Sequence, residues 1–253
     1  MITTHLKGGL GNQMFQIAVA YVLALDNDDE CAFYMGNPNI NQGNTAKYYA
    51  TNVFKNVREL SEDHVNLINY IEPRFNYTPI PYRKDLVLQG FFQSEKYFKY
   101  HRKEILELFG NRSQIKYEFE NSVSIHVRRG DYTDPYMTTF HPLLEKNYYN
   151  KALAHIESKT KIDHILIFSD DISWCKENFK DARMTFVEGN EDYIDMYAMT
   201  KCEHNIIANS SFSWWGAYLN ENENKIVCAP SKWFGFAFKD DWQDIYCENW
   251  IKL

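Results

Sequence analysis

The chain has 253 residues, 27 basic and 34 acidic, for a formal net charge of −7. That balance argues against a protein whose main business is a polyanion, because nucleic-acid binders carry a basic surplus. A content of 45% hydrophobic and 24% charged residues excludes intrinsic disorder, and the length fits one large α/β domain or two small ones. Residues 2–6 favour a strand that stops at Lys7-Gly8-Gly9-Leu10-Gly11. Residues 14–25 are apolar on every side, which marks a buried helix, so the chain opens as strand, glycine turn and helix. Residues 31–35 read as a short second strand. Residues 36–85 are loop-rich, broken by Pro38, Pro73, Pro79 and Pro81, with a helical piece near 62–69. Residues 86–88 are strand-like, and Ser94 caps a predicted helix that runs to residue 109 and stops at Gly110.

From residue 121 the rhythm becomes regular. Strands are predicted at 123–127, 164–168, 184–187, 205–208 and 225–229, with helices at 143–158, 171–179, 192–200 and 212–220 between them. Strands alternating with helices predict a parallel sheet covered on both faces. The tail from residue 231 is aromatic and reads as irregular. The best boundary lies at 110–121, giving domains 1–120 and 121–253 with ligands expected in the cleft between them.

Five cysteines, Cys31, Cys175, Cys202, Cys228 and Cys247, are odd in number, widely spaced and without a CxxC pair. They suggest neither a disulfide framework nor a zinc site, and a reducing compartment is expected. The N-terminus lacks a signal-peptide core, and no stretch reaches the roughly 20 apolar residues of a membrane span. The expectation is a cytoplasmic protein, or one peripheral at the inner face of a membrane.

Four segments carry chemistry. His126-Val127-Arg128-Arg129-Gly130-Asp131-Tyr132 follows a predicted strand, where ligands of open α/β sheets bind. On extended chain the two arginines point to opposite faces, so one can meet a ligand while the other anchors the loop. An arginine fork matches phosphate oxygens, and Asp131 can orient an arginine or act as a base. The plainer reading is a surface Arg–Asp pair. Ala208-Asn209-Ser210-Ser211-Phe212 joins a strand to a helix, where Ser210, Ser211 and Phe212 either hold an anion at the helix N-terminus or simply cap it. Lys7-Gly8-Gly9-Leu10-Gly11-Asn12-Gln13 is neither a dinucleotide fingerprint nor a phosphate loop. Its Gly11, Asn12 and Gln13 offer close backbone approach and neutral polar groups suited to sugar hydroxyls, or form a tight turn with an asparagine cap. Phe168-Ser169-Asp170-Asp171 ends a strand, with a carboxylate for a nucleotide, a helix cap or a paired-carboxylate site for Mg²⁺ or Mn²⁺ as its alternatives. Asp26-Asn27-Asp28 has the DxD form of metal-dependent transferases but follows a helix, which favours a solvated helix end.

Three of these segments, in this order and spacing, resemble the α-1,2-fucosyltransferases of glycosyltransferase family 11, in their bacterial form. The carriers are Gly8-Gly9-Leu10-Gly11-Asn12-Gln13-Met14-Phe15-Gln16, His126 to Tyr132, and Asn209-Ser210-Ser211-Phe212-Ser213-Trp214-Trp215-Gly216-Ala217. The resemblance implies a GT-B-like α/β fold, two Rossmann-like domains with parallel sheets facing a central cleft. It implies inverting, metal-independent transfer of L-fucose from GDP-fucose to the 2-hydroxyl of a terminal galactoside, with no cofactor, as in oligosaccharide or O-antigen biosynthesis. Its expected partners are GDP-fucose and a galactose-terminated glycan, with no nucleic acid. By the resemblance, Arg128 contacts the donor diphosphate beside His126, and Asp170, Ser210, Ser211 and Phe212 complete the donor site. Asn12, with Gly11 and Gln13, faces the sugar or acceptor, and Arg128 and Asp131 are the catalytic candidates. The rival readings are a sugar-binding lectin-like module and a metal-dependent GT-A transferase.

Overall fold

The structure, a computed structural model, describes residues 1–36, 43–61, 67–110 and 119–253. It divides into two compact units, Met1–Ser113 with Asp240–Cys247, and Gln114–Lys239 with Glu248–Leu253. Both are α/β with parallel sheets. The segment in which a boundary was expected, 110–121, lies largely outside the described residues, as does Pro38.

Unit 1 begins with β1 (Ile2–Thr4), fully buried, and α1 (Leu10–Leu25), buried on nearly every side. Then come α2 (Ala46–Tyr49), β2 (Ile68–Ile71) and β3 (Leu86–Gln89). Strand β3 lies between β1 and β2. The strand expected at 31–35 is reduced to single bridges, Cys31 with Ile2 and Phe33 with Glu59, since the two residues meet different partners and no ladder forms. Of the helix expected at 62–69, residues 62–66 lie outside the described residues. Ile68 and Asn69 belong instead to β2, where pairing with Leu86 and Val87 decides their conformation. The helix expected from residue 94 is broken into 3₁₀ turns at Glu95–Tyr97 and Lys99–His101 before α3 (Arg102–Leu108). The break falls at Phe98 (φ −144°, ψ 5°), whose ring is buried 6.0 Å from Phe15.

Unit 2 runs through β4 (Ser122–Val127), α4 (Met137–Phe140), α5 (Lys146–Glu157), β5 (His164–Ser169) and α6 (Ile172–Asn178). It continues with β6 (Met184–Phe186), α7 (Asp192–Met199), β7 (His204–Ile206), α8 (Ser211–Tyr218), β8 (Val227–Ala229) and β9 (Ile251–Lys252). Helix α5 starts later than expected because Glu145 is extended (ψ 154°) and the carbonyl of Pro142 is held by Asn209. The tail is not wholly irregular: β9 pairs with β8, and Asp240–Cys247 belongs to unit 1.

Alternation along β4 and β5 builds two different faces. Val123, Ile125, Val127, Ile165 and Ile167 form one apolar core with Tyr149, Ile156, Cys175 and Phe179 of the α5 and α6 side. Leu166 and Phe168 pack on the other side with Ala198 and Met199 of α7 and with Phe212. On β4 that second register is polar, Ser122, Ser124 and His126, all buried. Asn205 makes it tolerable: its Nδ2 donates to Ser124 Oγ (2.8 Å) and the Met199 carbonyl (2.9 Å), and its Oδ1 accepts from Asn220 Nδ2 (2.9 Å). A buried polar group left unpaired costs roughly 1–3 kcal/mol, so we predict that Asn205→Ala lowers the unfolding free energy of unit 2 by about 3 kcal/mol. Urea unfolding followed by tryptophan fluorescence checks this, and an unchanged midpoint refutes it.

Candidate active site

Counted from its own first strand, the sheet of unit 2 has the order 3-2-1-4-5-6. Chain direction across the sheet reverses between β4 and β7, and open α/β sheets bind ligands at the carboxyl ends of the strands flanking such a reversal. Three loops meet there, after β4, β5 and β7. Tyr132 ties the first to the third by donating from its hydroxyl to the Asn209 carbonyl at 3.1 Å. His126 ties them again, its ring 5.4 Å from that of Phe212.

Arg128 lies at the centre, 24% exposed, with Nη2 2.6 Å from Asp131 Oδ1 and Nη1 2.7 Å from Asp170 Oδ2. Its guanidinium also lies 5.4 Å from the Tyr132 ring centroid. Arg129, just beyond β4, takes a different set of partners. Its Nε donates to Asp171 (3.0 Å), its guanidinium stacks 4.1 Å over Trp174, and its backbone N–H donates to Asp170 (2.8 Å). Asp171 also caps α6 through the Trp174 amide at 3.1 Å, and these bonds hold its carboxyl below the usual range. Asp170 thus faces Arg128, while Asp171 caps α6 and anchors Arg129. Gly130 has no room for a side chain, since a Cβ there would overlap the Asp170 carboxylate.

His126 is 5% exposed, and burial with Arg128 nearby pushes its pKa down to about 3. It is neutral at ordinary pH, a hydrogen-bonding group without charge. Ser210 caps α8, its hydroxyl accepting from the Phe212 amide at 3.4 Å. Asn209, buried, fixes the surroundings by donating to the carbonyls of Pro142 (3.0 Å) and Trp233 (3.1 Å). His126, Arg128, Asp131, Asp170, Ser210, Ser211 and Phe212 thus come together at one end of one sheet.

In unit 1 the glycine loop follows β1. Gly8 takes φ +76°, and Gly9 caps α1 without a side-chain hydrogen bond, so the helix has no asparagine cap. Asn12 is part-exposed and accepts from Gln93 Nε2 at 2.6 Å. Gly11 is buried. Gln13 is fully buried, and its Nε2 donates inward to the carbonyls of Gly8 (2.8 Å) and Asn44 (2.9 Å), bracing the loop. Asp26 ends α1 and pairs with His101 at 2.7 Å, as a solvated helix end should. Among the described residues, no group of three or more His, Cys, Asp or Glu side chains is placed to hold a metal ion. No helix there is long and apolar enough to cross a membrane. Sequence reading missed Trp174, Gln93 and the hub role of Asn209. Only Asn209 had a signal, its place at a strand–helix junction.

The sheet reversal of unit 2 thus carries an arginine–carboxylate cluster beside the loop that leads into a capped helix. Comparison with known proteins gives the class. The model of glycosyl transferase family 11 matches residues 1–253, and the chain belongs to that family of glycosyltransferases. It is 34% identical to the O-antigen biosynthesis glycosyltransferase WbnK of Escherichia coli, over 98% of this chain and 99% of that one. It is 28% identical to an alpha-1,2-colitosyltransferase of Escherichia coli, over 100% and 99%. The galactoside 2-alpha-L-fucosyltransferase SEC1 of Bos taurus is 26% identical, over 100% of this chain and 74% of that one. A solved fucosyltransferase, NodZ from Bradyrhizobium, overlaps at TM-score 0.47 and 12% identity, covering 85% of this chain and 90% of that one.

Two predictions follow from this geometry. Gly130→Ala must displace Asp170, so guanosine diphosphate, used as the probe, should bind at least about tenfold more weakly by calorimetry, a loss near 1.4 kcal/mol. Unchanged affinity would show that Asp170 has no part in the site. His126 takes a proton near pH 6.5 when unfolded and only near 3 when folded. Its stabilising effect is complete above pH 6.5 and is lost as pH falls from 6.5 toward 3. His126→Gln should therefore show a shallower loss of stability across that window than the parent, measured by urea titrations at each pH.

Proposed function

We propose that the protein is an inverting, metal-independent galactoside 2-alpha-L-fucosyltransferase, with unit 2 holding GDP-fucose and unit 1 serving the acceptor. One observation carries the reading: Arg128 follows β4 at the sheet reversal and pairs with Asp170 of the β5 loop, while Tyr132 of the same loop bonds Asn209, just before the capped start of α8. Breaking the bond from fucose to the diphosphate develops negative charge on the leaving phosphate. A planar guanidinium and helix-end N–H groups supply the matching donors. His126, neutral, adds a hydrogen bond without charge.

The ligand-free cluster counts two guanidiniums against three carboxylates, Asp131, Asp170 and Asp171. A diphosphate must therefore displace a carboxylate from Arg128. Asp131, at 37% the most exposed of that trio's two Arg128 partners, is the one to leave. Once released, its carboxylate takes the proton of the attacking acceptor hydroxyl while Arg128 stays with the leaving group. The relatives support a six-deoxy sugar donor, and the colitosyltransferase among them makes GDP-colitose the competing donor to test.

Purified enzyme with GDP-fucose and a panel of terminal galactosides should release GDP and give an α-1,2-linked product. Turnover of GDP-colitose alone would reassign the donor, and no GDP release with either would favour a binding module. Activity should survive EDTA; loss restored by Mn²⁺ or Mg²⁺ would establish a metal-dependent mechanism. Arg128→Ala should slow transfer by about 10²–10³-fold, and Arg128→Lys should not rescue it. Asp131→Asn should tighten GDP binding yet slow transfer by roughly 10²-fold or more. Tightening without slowing would make Asp131 an occupant of the fork and not a base.

A further inference from the structure

Phe92 has a left-handed backbone (φ +52°) although it is bulky and fully buried. Among the described residues, the other non-glycine residues with positive φ are Asp28, Asp85 and Asn121, types that tolerate that region. Strain of this kind persists only where surrounding contacts over-determine it, and it collects at functional sites. Here Glu72 imposes it. One carboxylate oxygen accepts from the Phe91 amide (2.7 Å) and the other from the Phe92 amide (3.0 Å). Gly90 is bare because a Cβ there would overlap Glu72. The ring of Phe92 is clasped by Tyr97 at 5.7 Å, edge to face.

The next residue, Gln93, is buried and donates to Asn12 Oδ1 at 2.6 Å. A second amide, Gln16, joins the same two loops, accepting from the Lys7 amide (3.0 Å) and donating to the Gly90 carbonyl (3.1 Å). Lys7 lies 4.7 Å over the Phe91 ring. These loops follow β1 and β3, which are paired and parallel, so both leave the same carboxyl edge. Burial raises the Glu72 pKa while the two amide bonds lower it.

We propose that Glu72 and Gln93 are positioning residues for Asn12. Glu72 locks the turn at residues 91–92, the turn delivers Gln93, and Gln93 fixes which end of the Asn12 amide is presented to the acceptor-side ligand. The inference rests on the reading of unit 1 as the acceptor side.

The test compares Gln93→Met, which keeps volume and removes the hydrogen bond, with Glu72→Gln, Asn12→Ala and the double variant Asn12→Ala/Gln93→Met. Initial rates are measured with GDP-fucose and a terminal galactoside, and GDP affinity is measured by calorimetry. Gln93→Met should lower kcat by roughly 10²-fold, as misplacing a reacting group does, with GDP affinity unchanged. Glu72→Gln, which keeps one acceptor oxygen, should fall between it and the parent. The double variant should be no slower than Asn12→Ala alone, because Gln93 acts only through Asn12. The inference is overturned if Gln93→Met keeps half its turnover while Asn12→Ala does not, or if the two losses multiply. If Asn12→Ala itself retains full turnover, the acceptor-side reading fails first and the positioning role with it.

Discussion

A cation at the end of a buried strand has to be matched, and much of unit 2 is arranged around that requirement at Arg128. Its two forks take Asp131 and Asp170. Asp170 is itself fixed by the Arg129 amide, and Gly130 must be glycine to leave it space. Arg129 then needs its own anion and finds it in Asp171. Partly exposed ion pairs of this kind contribute little to stability individually, of order 0–1 kcal/mol. Their value is geometric, since each restricts the rotamers of a side chain at the sheet reversal.

The strand that carries Arg128 has a polar inner register because the site starts below the loop. Ser124 is satisfied by Asn205. His126, one step nearer the edge, has no protein partner for its buried Nδ1. Folding tolerates this because His126 stays neutral, with its ring beside Phe212. An apolar residue at either place would pack more easily. Polar residues there put hydrogen-bonding capacity beside a guanidinium without adding a second charge that would compete for it.

How far the sequence revealed this depends on the range of the forces involved. The strand–helix alternation of unit 2 was readable because it is written locally, in runs such as Ile165-Leu166-Ile167-Phe168. The clustering of Arg128, Asp170 and the Ser210 turn was readable because all three follow predicted strands. What escaped was set by distant partners. Ile68 and Asn69 form a strand because Leu86 and Val87 pair with them. The helix after Ser94 breaks because Phe98 must reach the core beside Phe15. The burial of Gln13 was likewise not legible, because its amide is held by the Asn44 carbonyl 31 positions away. Trp174 gave no signal, because its partner Arg129 lies 45 positions earlier in the chain.

The two units show opposite chemistry at the same structural address. Each places glycine-bearing loops at the carboxyl edge of a parallel sheet. In unit 2 the side chains there are ionic, two arginines paired with three carboxylates. In unit 1 they are mainly amides, Asn12, Gln16 and Gln93, bonded to one another or to backbone. Amides carry donor and acceptor on one planar group and need no counter-ion. They suit a neutral, hydroxyl-rich ligand, whose groups also donate and accept at once. Such a ligand is discriminated by which end of each amide it meets, so orientation matters more than charge. On the positioning role proposed for Gln93, the strained Phe92 and the Glu72 carboxylate that bonds its amide serve that orientation. A charged side chain finds its counter-ion over several ångströms, whereas an amide turned the wrong way presents a donor where an acceptor is needed.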